Sequence, residues 1–192
     1  MIKNFEKTIK ILSASLDTVS EEMFNKLLLD CCISLSEGKK IVVSGLGKNV
    51  PICEKFVGTM NSLGMNAAFL HTNSAVHGDM GIVKQGDVVI ILTKSGETAE
   101  SVYLTKLLEK RNAHMWLLSF ERKSTLTQMI DNQIILDLEH EGDIWNIMPN
   151  NSTTLNLIIL QNLAIELARE KNIGLEVFKS NHPGGHIGEL LK

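Results

Sequence analysis

Apolar residues change their spacing along the chain, and the change divides it. Ile2, Phe5, Ile9, Leu12 and Leu16 recur at three- and four-residue intervals, the signature of an amphipathic helix. Ser20 followed by Glu21-Glu22 opens a second helix through Phe24, Leu27, Leu28 and Cys31, and Gly38 stops it. Beyond Gly38 the apolar residues form short continuous runs: 40–44, 67–70, 88–92, 115–118 and 133–136. Helix-length stretches separate them: Val50 to Leu63, Glu97 to Lys110 and Ser124 to Met129. Continuous runs alternating with helices predict a parallel sheet buried on both faces. The expected fold is therefore α/β: a three-layer α/β/α sandwich around a five-stranded parallel sheet. Strand order 2-1-3-4-5 is expected by analogy with other doubly wound sheets. A long helix over about Thr154 to Lys171 carries the stripe Leu155, Ile159, Leu163 and Leu167, broad enough to be buried on more than one side. The tail from Ser180 to His186 reads as a turn-rich loop holding two histidines.

Composition narrows the classes. The chain has 192 residues, 44% hydrophobic and 21% charged, which excludes a disordered chain. It reads as a single domain over 1–192, able to bury roughly 70% of its unfolded surface. Nineteen basic against 22 acidic residues give a net charge of −3, so the basic footprint of a nucleic-acid binder is missing. No apolar run reaches the ~20 residues of a membrane span. The lysines before Lys10 are not followed by the apolar segment of a secretory signal. Three cysteines without a paired spacing read as reduced thiols, and the expected location is cytoplasmic.

Ligands of open parallel sheets bind beyond the carboxyl ends of the strands. After the first strand stand Ser44, Gly45, Leu46, Gly47 and Lys48. The two glycines allow close backbone approach, but the third glycine of a dinucleotide fingerprint and the P-loop pattern are both missing. After the third strand stand Thr93, Ser95, Gly96, Glu97, Thr98 and Glu100. Hydroxyls beside a starting helix make an anion cradle. The same Ser-Gly-Glu-Thr also reads as an ordinary cap with Glu97 in the first helical turn. One short cradle suits a phosphate monoester better than a pyrophosphate. His77-Gly78-Asp79 lies between strands two and three, and Glu139-His140-Glu141-Gly142-Asp143 follows strand five. The acidic cluster reads either as a solvated charge run or as a source of a base whose pKa is raised by enclosure. Asn150 to Thr153 reads as the cap of the long helix, and the six histidines show no metal-ligand spacing.

Taken together, Gly45-Leu46-Gly47-Lys48, His77-Gly78-Asp79-Met80-Gly81, Ser95-Gly96-Glu97-Thr98, Ser152-Thr153-Thr154 and His182-Pro183-Gly184-Gly185 resemble the sugar isomerase (SIS) domain family, in its arabinose 5-phosphate isomerase branch. The resemblance runs from Ile41 to the end of the chain. It implies a flavodoxin-like SIS fold and cofactor-free, metal-free interconversion of D-ribulose 5-phosphate and D-arabinose 5-phosphate, feeding 3-deoxy-D-manno-octulosonate for lipopolysaccharide or capsule. It implies catalytic roles for Lys48, Glu100, Glu141 and His182, with His77 as a further active-site histidine. Substrate contacts are implied at Ser44, Gly45, Gly47, Thr93, Ser95, Gly96, Thr98 and Ser152. It implies a homotetramer whose active sites are shared between subunits. The chain departs from the family pattern at Asn49, usually serine, at Met148 to Asn151, and after Glu141, where Glu-x-Cys-Pro is usual. Many relatives continue into a pair of cystathionine-β-synthase-type domains; with the chain ending at Lys192, that regulation is expected to be absent. An isomerase for a hexulose 6-phosphate or sedoheptulose 7-phosphate and a non-catalytic phosphosugar sensor are the alternatives. A sensor would need a DNA-binding domain larger than the first 37 residues.

Overall fold

The computed structural model describes residues 2–190; Met1, Leu191 and Lys192, at the ends of the expected domain, lie outside the described residues. Two helices, α1 (Ile2–Leu16) and α2 (Glu21–Ser36), precede the sheet. Ser20 caps α2 by accepting from the Met23 N–H at 3.2 Å. Five strands follow: β1 (Ile41–Gly45), β2 (Ala67–Phe69), β3 (Val88–Leu92), β4 (His114–Ser119) and β5 (Gln133–Ile135). All pair in parallel, in the order β2-β1-β3-β4-β5, as the sequence predicts. β1 and β3 are buried at every position, which is why they read as continuous apolar runs. The edge strands β2 and β5 have only three residues each, which limits the backbone open to foreign pairing.

Strand alternation divides the core in two. Ile41, Val43, Val88, Ile90, Leu92, Trp116 and Leu118 face α2, α3 (Val50–Ser62) and a long C-terminal helix. Val42, Val89, Ile91 and Leu117 face α4 (Ala99–Leu108), α5 (Thr125–Met129) and the turns over 75–82. The result is the expected α/β/α sandwich. Across the amino ends of the strands, the buried Asp87 carboxylate accepts from Lys40 N and Lys84 N and pairs with Lys40 Nζ at 2.9 Å. That leaves the carboxyl ends as the open side.

Several boundaries differ from the sequence reading. The long helix, α6, spans Asn151–Glu170 and so starts three residues early. Asn150, at its N-cap position, makes no side-chain cap bond; the cap comes from elsewhere in the chain, as described below. The tail is not one loop: α7 (Leu175–Ser180) and α8 (Gly185–Leu190) flank a loop over 181–184. Among the described residues, no helix is long and apolar enough to cross a membrane.

Candidate functional site

A cleft of about 170 Å³ opens where β1 and β3 end. Leu46, Lys48 and Asn49 form one wall, Thr93 to Ser95 with Thr98 and Ser101 the second, and Pro149 with Ser152, Thr153 and Asn156 of α6 the third. Its volume suits a small polar ligand rather than a dinucleotide.

The first wall exists because Gly45 has no side chain. A Cβ there would stand 2.8 Å from Asn49 Cβ, so only glycine lets the strand turn so closely under α3. Gly47, with positive φ, starts the exposed turn that carries Lys48. Ser44 is a correction. Its side chain is buried and turned into the sheet, where the hydroxyl donates to Leu70 O at 2.7 Å and lies 3.1 Å from Thr72 Oγ1. It does not line the cleft.

The second wall is braced from within. Thr93 Oγ1 accepts from the Gly96 N–H at 3.1 Å, and Ser95 Oγ accepts from the Glu97 N–H at 3.2 Å. Each hydroxyl keeps its own proton to donate. Gly96 is pressed against α5: with φ at +67°, a Cβ would lie 2.1 Å from Ser124 Oγ. Glu97 is not in the first turn of α4, contrary to the simple cap reading. Its carboxylate crosses to α5, accepting from Thr125 N and Thr125 Oγ1, both at 2.7 Å, and these bonds hold its pKa below the ordinary value. Thr98 is the N-cap residue of α4 but makes no cap bond, so its hydroxyl is free at the mouth of a helix whose first N–H groups lack intrahelical partners. Hydroxyls and a free helix start together make an anion cradle.

The third wall shows what caps α6. Glu141 is 0% exposed, and its Oε2 accepts from Asn150 N at 3.0 Å and Ser152 N at 2.9 Å. Its Oε1 faces Lys94 Nζ at 2.8 Å. Burial pushes the carboxyl up, but Lys94, the N–H and hydroxyl of Ser152 and the N–H of Asn150 outweigh it, so the pKa lies below the ordinary carboxylate value. This corrects the expectation of a raised pKa and of a solvated charge run. Glu141 thus neutralises the α6 terminus, whereas the start of α4 has no side-chain cap. Asn146 Oδ1 accepts from Glu141 N at 2.7 Å, and Asp143 accepts from Trp145, Ile147 and Met148 N–H groups. The bracing turns Ile144, Trp145 and Ile147 outward to solvent.

Of the expected residues, Lys48, Thr93, Ser95, Thr98 and Ser152 line the cleft; Glu141 stands directly behind Lys94. Gly45, Gly47 and Gly96 shape its loops without lining it. Glu100 is exposed in the first turn of α4, and His77 is exposed in the turn Ala75–His77; neither lines the cleft. His182 is also outside it, stacked on Phe178 with ring centroids 4.0 Å apart and Nδ1 2.7 Å from Phe178 O. The sequence reading missed Lys94 and Asn156. A lysine inside a phosphate loop, and a lone amide beside Leu155 and Ile159 on a buried helix face, were the available signals. Among the described residues, no three His, Cys, Asp or Glu side chains gather as a metal site requires.

Comparison with known proteins agrees with this fold. The chain is 30% identical to an arabinose 5-phosphate isomerase of Pseudomonas aeruginosa over 190 residues, 99% of this chain and 58% of that one. An uncharacterized protein of Helicobacter pylori is 35% identical over 170 residues, 88% of this chain and 51% of the other. The chain thus spans about half the length of the curated relatives it matches. Among solved structures, an Escherichia coli protein in complex with arabinose 5-phosphate superposes with a TM-score of 0.86 at 30% identity, covering 95% of each chain. A family model described as SIS domain matches residues 34–166, the whole sheet and most of α6, and with it the chain belongs to the SIS domain family.

Proposed function

We propose that the chain is a phosphosugar isomerase, a single unit over 1–192, that interconverts D-ribulose 5-phosphate and D-arabinose 5-phosphate through a cis-enediol and supplies 3-deoxy-D-manno-octulosonate synthesis. The carrying observation is a cleft that joins an uncapped helix start to two ammonium groups, with Lys94 pinned against the buried Glu141. The relative named for this activity and the neighbour holding arabinose 5-phosphate support the same reading.

In this reading the phosphate docks on Ser95, Thr98 and the first N–H groups of α4. Binding at that non-reacting end orients the carbons at the other. A carboxylate removes the proton alpha to the carbonyl. The electrons form the carbon–carbon double bond of an enediolate, and the protonated base, whose proton exchanges with solvent, protonates the neighbouring carbon. No net oxidation occurs and no cofactor is required. Lys48 stabilises the enediolate oxygens. Glu141 and Glu100 are the two candidates for the base. Glu141 is ionised at neutral pH, but its lowered pKa weakens it as a base. His182 or His77 moves the proton between oxygens.

Neither histidine lines the cleft of its own chain, and apolar residues stand uncovered on α1 (Ile2, Phe5, Ile9) and beside the site (Ile144, Trp145, Ile147). These two facts support the assembly that the family resemblance implies, a homotetramer in which a neighbouring copy completes each active site.

The test is incubation with arabinose 5-phosphate in heavy water, followed by NMR. Ribulose 5-phosphate carrying solvent deuterium at the exchanged carbon is expected. Substrate recovered without deuterium and without ketose contradicts the proposal. A panel of hexulose 6-phosphate and sedoheptulose 7-phosphate run alongside fixes the sugar. Glu100→Gln and Glu141→Gln separate the two bases: removal of the true base stops exchange while sugar-phosphate binding persists.

A further inference from the structure

On the α6 wall, Asn156 Oδ1 is a buried polar atom with no hydrogen-bond partner among the described residues, whereas the Ser152 hydroxyl is turned to the Glu141 carboxylate. Asn156 is 1% exposed and lines the cleft. Buried polar atoms are nearly always paired, so an orphan acceptor opening on the cleft marks a group that a ligand satisfies.

Its chemistry differs from the rest of the site. Lys48, Lys94, the Ser95 and Thr98 hydroxyls and the start of α4 are donors and suit an oxyanion. Asn156 Oδ1 is an acceptor with no proton to give. A phosphate oxygen placed against it meets repulsion, whereas a ligand hydroxyl satisfies it. Asn156 Nδ2 donates to Asn49 Oδ1 at 2.9 Å, which ties α6 to the turn carrying Lys48 and leaves Asn156 Oδ1 without a partner. Packing alone does not require an amide here, because Leu155, Ile159 and Leu160 around it are plain core residues.

We propose that Asn156 is a specificity-determining residue that accepts a hydrogen bond from a hydroxyl of the sugar, with Asn49 as its positioning residue. The inference rests on reading the cleft as a sugar-phosphate site and divides it: the α4 side reads phosphate, the α6 side reads hydroxyl.

Calorimetric titration of the full chain with two probes, arabinose 5-phosphate and inorganic phosphate, tests it. Asn156→Leu weakens arabinose 5-phosphate binding roughly tenfold, the scale of one lost hydrogen bond in a closed site, and leaves inorganic phosphate within about twofold. Asn49→Ala gives a smaller loss in the same direction. Unchanged affinity for both probes in Asn156→Leu overturns the proposal, because a bound water then suffices for the amide. Equal weakening of both probes also overturns it, because the residue then serves the fold or the phosphate. Should Asn156→Leu fail to fold, the wild-type protein decides: one deoxygenated pentose 5-phosphate binds roughly tenfold more weakly than its hydroxylated parent. Inorganic phosphate binding as tightly as every sugar phosphate overturns the proposal while leaving the cradle intact. Sugar-selective binding without turnover contradicts the isomerase reading instead and leaves the assignment of Asn156 standing.

Discussion

Glu141→Gln keeps the shape of a buried side chain and removes its charge. Three partners feel the change. The N–H groups of Asn150 and Ser152 at 3.0 and 2.9 Å lose a charged acceptor for a neutral one, and Lys94 at 2.8 Å loses its counter-ion. Each charged hydrogen bond reduced to a neutral one costs about 1 kcal/mol. Breaking a fully buried ion pair costs about 3–5 kcal/mol, but the Lys94 side chain is 41% exposed, so water rehydrates the stranded ammonium and most of that penalty disappears. The expected loss is about 2–3 kcal/mol, or roughly 4–12 °C in Tm for a domain of this size. The loss depends on pH. The folded pKa of Glu141 lies below its unfolded value of about 4.3, so its contribution is present above that value and disappears as pH falls through the folded pKa. Urea unfolding of both proteins from pH 7 to pH 3 is the assay. The stability gap is expected in full near neutrality and to close in acid. A variant as stable as wild type at pH 7, or a gap that stays constant into acid, refutes the ion-pair account.

Other consequences follow from single contacts. Gly96→Ala places a Cβ 2.1 Å from Ser124 Oγ at φ +67°, so a loss of at least about 1–3 kcal/mol and weaker phosphate binding are expected by melting and titration; wild-type stability contradicts the tight approach. Ser44→Ala leaves the Leu70 carbonyl without its donor and costs about 1–3 kcal/mol, with phosphate affinity unchanged. Lower affinity at full stability in that variant returns Ser44 to the binding site. Ser95→Ala lowers sugar-phosphate affinity before it lowers turnover at saturation; a fall in kcat with KM intact contradicts its place in the cradle.

Much of this was written locally. The runs 41–43 and 88–92 are apolar on both faces because both faces are covered, and that property identifies central parallel strands. Lys48, Ser95 and Thr98 were legible because strand-to-helix turns of such sheets open on ligands. Ser44 had a readable parity: two residues beyond Val42, it shares that residue's face and points into the second core cluster rather than the cleft. The cap of α6 was not legible. Asn150 to Thr153 look like their own cap, and only the tertiary approach of Glu141 displaces them. The depressed pKa of Glu141 has the same origin, since Lys94 arrives from a different loop. α7 is six residues long, too short for a helical period to register.

The central claim is that a phosphate monoester docks at the start of α4. A crystal structure of the full chain with arabinose 5-phosphate tests it most directly. The account predicts phosphate oxygens within about 3.2 Å of Ser95 Oγ, Thr98 Oγ1 and the first N–H groups of α4, with the sugar chain running toward Lys48 and α6. A phosphate found at another helix terminus, or a cleft that stays empty at saturating sugar phosphate, contradicts it.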